Sequence, residues 1–128
     1  MSRIRWSLSL FPTSSWTLFN RVARLSVRKD RPNTFVATWY STNADKPLLG
    51  SGLGHGNTAN GFCGIHEIRY YRPNGELSEV PFELTIKAVG EVRELLWTHQ
   101  GKPCFRGVGI EIGDQLTVSY WRVPGSAS

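Results

Sequence analysis

The stretch that decides the fold is KPLLGSGLGHGNTANGFCGIHE, residues 46–67. It contains six of the chain's 13 glycines, two of its three histidines and one of its two cysteines. Residues two apart on a strand share a face, so a Gly-x-Gly segment leaves that face without side chains. An aromatic side chain on a neighbouring strand stabilises such positions by covering them. We therefore predict that the stretch is a bending hairpin of a β-sheet.

An internal repeat places this hairpin within a larger pattern. Residues 25–57 resemble residues 84–114, and each copy begins with an alternating segment of leucine, aliphatic and basic residues. A tryptophan follows in each copy, Trp39 in the first and Trp97 in the second. Each copy then continues through a Lys-Pro turn and a Gly-x-Gly segment to a closing turn. The repeat indicates that each half of the chain forms the same arrangement of strands.

Each half has the pattern of a four-stranded antiparallel meander. Its runs are rich in β-branched and aromatic residues with period-two alternation, and turn residues separate them. Two meanders give eight strands, and closure into a barrel leaves no unpaired edge. We predict an all-β, eight-stranded antiparallel up-and-down barrel within residues 21–124, with residues 50–61 as a flap over its mouth in an alternative interpretation. The predicted strands are residues 22–28, 33–41, 48–55, 61–71, 81–88, 91–99, 103–112 and 115–123.

Residues 1–20 are predicted to form an N-terminal extension of the barrel domain. Residues 4–10 alternate strictly between apolar and polar, which predicts a strand. Residues 14–24 carry apolar side chains at helical spacing after serine N-cap candidates, which predicts a short helix. The strand at residues 4–10 is expected to pair with the last barrel strand or with a partner subunit, so a homodimer is one expectation.

The positive charge of the chain is concentrated near its start. The net charge is +5, yet residues 1–29 alone contain six basic residues and no acidic ones. The barrel body is therefore close to neutral, and a nucleic-acid partner is not expected from the charge. Two cysteines without metal or redox spacing favour a cytoplasmic protein. Organelle targeting by the basic start is the alternative. No apolar run is long enough to predict a membrane span.

No motif in the chain predicts a nucleotide or metal site, and no cofactor is expected. A phosphate-binding loop ends in Lys-Ser or Lys-Thr, and neither pair occurs. Cys63 and His66 are three residues apart and would point to opposite faces of a strand, which argues against zinc. His55 and His66 are expected to point into the barrel, where an imidazole contacts a ligand or moves a proton. The basic and aromatic cluster RYYR, residues 69–72, is interpreted as a strand end.

The segment Ala-Thr-Trp-Tyr at residues 37–40, with the eight-strand meander, resembles calycin-type barrels such as lipocalins, avidins and fatty-acid-binding proteins. In those families the tryptophan motif opens the first strand, and a glycine usually stands where this chain has Ala37. The resemblance implies a barrel fold and transfers no ligand. The pattern is also similar to small bacterial barrel domains of unknown function.

The first functional hypothesis is a non-enzymatic binder of one small, largely apolar molecule, because an eight-stranded barrel has room for one such ligand. The expected ligand contacts are Trp39, Trp97, Tyr120, His55 and His66. An alternative is a cofactor-free cyclase or isomerase, as the resemblance to allene-oxide-cyclase-like barrels permits, with His66 or His55 as the acid–base group. A third is a protein or nucleic-acid interaction module that uses the basic start and the RYYR cluster.

Overall fold

The computed structural model describes residues 21–43 and 46–124, which form a closed antiparallel barrel in which each strand pairs with the next and the last pairs with the first. The predicted eight-stranded up-and-down barrel is confirmed, and no helix occurs in the described residues. The strands are β1 (Arg21–Val27), β2 (Thr34–Asn43), β3 (Lys46–His55), β4 (Gly64–Tyr70), β5 (Phe82–Val89), β6 (Val92–His99), β7 (Lys102–Ile112) and β8 (Gln115–Arg122).

The N-terminal predictions mostly concern residues that the structure does not describe. The predicted strand at residues 4–10 and the predicted helix at residues 14–24 lie outside the described residues, except for residues 21–24. Those four residues belong to β1, so they are strand and not helix. Hydrogen bonding to β2 on one side and β8 on the other outweighs the local helical spacing.

Alternating burial explains why these segments form strands. In β1, Ala23 and Leu25 are buried while Val22 and Arg24 are exposed. The same alternation runs through the other strands, so one face of each lies inside the barrel and the other faces solvent. The interior is apolar, and among the described residues it is the face of the sheet that is removed from water. The core consists of Ala23, Leu25, Phe35, Ala37, Phe62, Ile68, Leu84, Ile86, Leu95, Trp97, Leu116 and Val118.

The tight hairpins of the second half follow from their turn residues. Gln100 and Gly101 connect β6 to β7, and both have positive φ angles, 51° and 83°. A two-residue loop with positive φ at both positions matches the right-handed twist of the strands it joins. The β7–β8 hairpin likewise has Gly113 at its first central position, with φ 62°.

The glycines of β3 face the barrel interior and lie under aromatic rings. Gly50 is paired with Trp39, and Gly54 is paired with Phe35. A Cβ atom added at either glycine would overlap the ring of its partner, and one added at Gly52 would come within 2.7 Å of the Tyr70 ring. The predicted covering of glycines by aromatic side chains is therefore present. Trp39 covers Gly50, which is one inward position before Gly52-Leu53-Gly54, the Gly-x-Gly segment of the first repeat.

One end of the barrel is closed by the loop between β3 and β4. Phe62 in this loop is fully buried and packs edge-on against Phe35, with ring centroids 5.8 Å apart. The predicted fourth strand therefore starts at Gly64 and not at Gly61. Gly61 and Gly64 have φ angles of 107° and 136°, which non-glycine residues rarely adopt, and together they turn the chain so that Phe62 enters the barrel.

Gly54→Ala is expected to destabilise the barrel by about 1–3 kcal/mol, because the added methyl group overlaps the ring of Phe35 in a packed interior. Urea unfolding would measure the change in the free energy of unfolding. The matched control is Ser51→Ala on the opposite face of β3, for which a change within about 0.5 kcal/mol is expected.

A double variant separates crowding from a general effect on the strand. Phe35→Leu shortens the side chain that the new methyl group would strike, so Gly54→Ala should cost less in that background than in the native chain. Equal costs in the two backgrounds would contradict the covering of Gly54 by Phe35.

Candidate ligand-binding cavity

The barrel contains a cavity at the end opposite the Phe62 plug. This end, which we call the mouth, is where β1 begins and β8 ends. The cavity has a volume of about 270 Å³ and opens at the mouth in the described part of the chain. Its size is near the lower end of the range for small-molecule sites. Its wall is formed by Ala23, Trp39, Tyr70, Phe82, Trp97, Phe105 and Tyr120.

Strand register brings these side chains to one level of the barrel. Each lies on the inward-facing positions of its strand, near the end that meets the mouth. On β6 and β7, Trp97 is directly paired with Phe105. Small residues leave the space open, because Ala23 has only a methyl group and Gly50 has no side chain beneath Trp39. Deeper in the barrel the inward positions carry aliphatic side chains that pack together and form the floor of the cavity.

The aromatic rings of the wall brace one another. Tyr120 lies between Trp97 and Phe105, with ring centroids 5.9 Å from each. Tyr70 packs edge-on against Phe82 at 5.6 Å. The Tyr70–Phe82 and Phe105–Tyr120 pairs are edge-to-face, an arrangement that stabilises aromatic pairs by about 0.5–1.5 kcal/mol beyond the burial of their area. The wall is therefore held in shape without a bound molecule.

Two tyrosine hydroxyl groups are the polar atoms of the wall that bear on chemistry. The Trp97 indole Nε1–H donates a hydrogen bond of 2.9 Å to the Tyr70 hydroxyl oxygen. The Tyr120 hydroxyl donates a longer one, 3.4 Å, to the backbone carbonyl of Tyr40. Burial raises the pKa of Tyr70 well above its usual value, and burial also raises the pKa of Tyr120. Both hydroxyls are therefore neutral donors at physiological pH.

The closed end holds a separate group of polar contacts around the plug. The ring Nε2 of His66 lies 2.6 Å from the carbonyl oxygen of Phe62, so Nε2 carries the proton and donates it. Glu111 accepts a 3.3 Å hydrogen bond from the Phe62 backbone N–H and forms a 3.1 Å ion pair with Arg93. The other His66 nitrogen, Nδ1, packs against Gly56 and has no hydrogen-bond partner among the described residues. These groups hold the plug in place and do not reach the cavity.

The structure brings together three of the five residues that the sequence proposed as ligand contacts. Trp39, Trp97 and Tyr120 share the cavity wall. His66 points into the barrel as expected, but it contacts the plug at the closed end. The expectation that His55 points inward is wrong, because His55 is exposed. It follows the inward-facing Gly54 on β3, so its side chain belongs to the outer face.

Sequence reasoning missed four of the wall residues. Tyr70 lies on the same face of β4 as His66, but its height in the barrel depends on strand stagger, which the sequence does not reveal. Phe105 could have been found from its position in the second copy, one residue after Pro103-Cys104, on the same face as Gly107 and Gly109. Phe82 and Ala23 occupy strand starts that give no comparable signal.

In the described part of the chain, the outer groove that includes His55 does not have an aromatic wall like that of the cavity. His55 lies there with Glu67, Glu83 and Thr98 on exposed faces of neighbouring strands. No group of three histidine, cysteine, aspartate or glutamate side chains that could hold a metal ion occurs in the described residues. Within residues 21–43 and 46–124 there is also no helix with the length and apolar character needed to cross a membrane.

Comparison with known proteins adds no family to these observations. The chain matched no protein-family model, no curated protein and no solved structure.

Stability is expected to fall above about pH 10, where tyrosines of an unfolded chain ionise. Below that pH both states hold their tyrosine protons, so there is no difference between them. Above it the unfolded chain releases protons that Tyr70 and Tyr120 retain in the barrel, because burial raises their pKa values, and unfolding becomes more favourable. Urea unfolding at about pH 8 and pH 11 would measure the loss.

Tyr70→Phe should reduce this alkaline loss while costing about 1 kcal/mol at neutral pH, because the Trp97 N–H loses its acceptor. The control is Tyr71→Phe, which alters an exposed ring next in the chain and should leave the alkaline loss unchanged. An alkaline loss that is the same size in Tyr70→Phe as in the native chain would contradict the assignment to Tyr70.

Proposed function

We propose that this protein binds one small, largely apolar molecule in the aromatic cavity, and that it does so without catalysing a reaction. The observation that carries the proposal is the wall itself. Six of its seven members are aromatic, and in the described part of the chain no histidine, carboxylate or basic side chain contributes to it. A concave apolar site with a few oriented polar groups is the usual form of a small-molecule site.

The energetics of such a site favour a planar ligand of modest affinity. A molecule about the size of an aromatic side chain buries roughly 200 Å² of apolar surface. At about 25 cal/mol per Å² this burial contributes about 5 kcal/mol, before the cost of association is subtracted. The Tyr70 and Tyr120 hydroxyls add orientation, because each already makes one hydrogen bond that fixes its position. A free energy of about 5 kcal/mol corresponds to a dissociation constant of a few tenths of a millimolar, so after the cost of association a ligand that uses the apolar wall alone binds with about millimolar or weaker affinity.

The arrangement of ionisable groups supports binding over the cyclase or isomerase alternative. A cofactor-free enzyme of that kind needs an acid–base group within hydrogen-bond reach of the substrate. Here His66 and Glu111 both contact the plug at the closed end, and His55 lies on the outer face. Among the described residues, the ionisable groups of the cavity wall are the hydroxyls of Tyr70 and Tyr120, and burial keeps both neutral by raising their pKa values.

The calycin-type assignment and the internal repeat are part of the same proposal. The closed meander barrel agrees with both, and Trp39 on β2 and Trp97 on β6 occupy the second strand of their respective halves. Both tryptophans line one cavity. We interpret the two halves as repeats that each supply one tryptophan to a shared site.

The protein as purified should retain or take up a small apolar molecule, which native mass spectrometry would detect as a mass difference. Neutral naphthalene-2-carboxamide is a suitable defined probe, because its fused rings are flat and uncharged. Its binding should change the tryptophan fluorescence, and Trp39→Ala or Trp97→Ala should remove that response.

A variant that fills the cavity guards against loss of binding through misfolding. Ala23→Leu places a larger apolar side chain in the wall and should abolish binding of the carboxamide while the barrel still unfolds cooperatively. The matched control is Val22→Leu, the adjacent outward-facing position, which should bind normally. Equal binding by the native chain and Ala23→Leu would refute the cavity as the site.

A further inference from the structure

Basic side chains occupy the inward-facing positions at the rim of the cavity. The inward alternation of β1 runs through Leu25 and Ala23 to Arg21, and that of β8 runs through Val118 and Tyr120 to Arg122. Each arginine is thus the next inward position after a residue of the cavity wall. The two strands are hydrogen-bonded neighbours, so both guanidinium groups lie on one side of the mouth.

Contacts fix both arginines to the wall. The Arg122 guanidinium carbon lies 5.9 Å from the ring centroid of Phe105, a cation–π contact that points the charge along the wall. Arg21 donates a 3.3 Å hydrogen bond from Nε to the buried Ser41 hydroxyl. The positive charge of Arg21 also opposes the effect of burial on the pKa of Tyr120, so it acts on the Tyr120 hydroxyl.

Acidic side chains are placed elsewhere in the described part of the chain. The strand acids Glu67, Glu83 and Glu94 are exposed, and Glu111 forms its ion pair at the closed end. Glu76 and Glu79 lie in the loop between β4 and β5 at the mouth, but both are exposed and neither belongs to the cavity wall. Among the described residues, the inward-facing rim positions at the start of β1 and the end of β8 are therefore basic, next to a cavity wall without charged side chains.

We propose that the ligand is a small organic anion, with a flat apolar body in the cavity and a carboxylate at the rim beside Arg122 and Arg21. This inference rests on the proposed function, because it names the class of molecule that the same site selects. The apolar body gains from burial against the aromatic wall. The carboxylate accepts charge-assisted hydrogen bonds from guanidinium groups, whose planar donors match its two oxygens.

The test compares two probes that differ in charge and scarcely in shape, naphthalene-2-carboxylate and naphthalene-2-carboxamide, by fluorescence titration of the full chain. The carboxylate should bind about tenfold more tightly, since hydrogen bonds to charged groups are worth more than neutral ones. Raising the ionic strength from about 0.01 M to about 0.1 M should weaken the binding of the carboxylate and leave the binding of the carboxamide unchanged.

Arginine variants test whether the rim causes the preference for the carboxylate over the carboxamide. Arg122→Gln should lower the affinity for the carboxylate several-fold and leave the carboxamide unchanged, and Arg21→Gln should act in the same direction. The matched control is Arg106→Gln, which removes an exposed arginine from the outer face of β7 and should leave both affinities as they were.

The possible outcomes distinguish failure of this inference from failure of the proposed binding function. Equal binding of the two probes, or an equal loss of both in Arg122→Gln, would overturn the anionic ligand and leave the apolar binding site standing. Failure of both probes to bind the native chain would overturn the two proposals together. A carboxylate preference that persists in both arginine variants would also overturn the assignment to the rim.

Discussion

The packing of aromatic rings onto the inward face of β3, which carries glycines and no side chains at Gly50, Gly52 and Gly54, is the constraint on which the rest of the structure depends. Inside a small barrel, one strand can carry large inward-facing side chains only if the neighbouring strand carries small residues at the facing positions. β3 does so at Gly50, Gly52 and Gly54, and Trp39 and Phe35 of β2 occupy the space that results. Interiors are packed to high density, so even a methyl group at these positions meets a ring. The same exchange lets Trp39 lean over β3 and form one side of the cavity.

The two ends of the barrel use this aromatic interior in different ways. At one end Phe62 enters from a loop and contacts Phe35, and its backbone is hydrogen-bonded to Glu111 and His66. The packed core therefore fills this end of the barrel. At the other end the rings are attached to the wall and not to a plug, so they surround a space and do not fill it. A buried hydrogen-bonded group stabilises a structure chiefly because leaving it unpaired is costly. The polar contacts of the closed end thus specify one loop conformation, while apolar contacts define the cavity.

Much of this fold could be predicted from the sequence because strand periodicity and turn residues are local signals. The eight strands agree with the prediction to within a few residues, and Trp39, Trp97 and Tyr120 do line one cavity. The errors arise where tertiary packing overrides a local sequence pattern. Gly61 was assigned to a strand, but its positive φ serves the entry of the plug. The direction of His55 depended on which face of β3 is inward, and the bare glycine face, not the histidine face, is the inner one.

The plug has a consequence for how molecules exchange. With Phe62 filling one end, the cavity formed by the described residues is a blind pocket, and entry and exit share one opening. A molecule inside cannot be pushed out from behind, so a newcomer waits until the occupant has left. Replacement is then governed by the departure rate alone, however concentrated the competitor. Under the proposed function, the residence time of a bound molecule is therefore set by the mouth of the barrel alone.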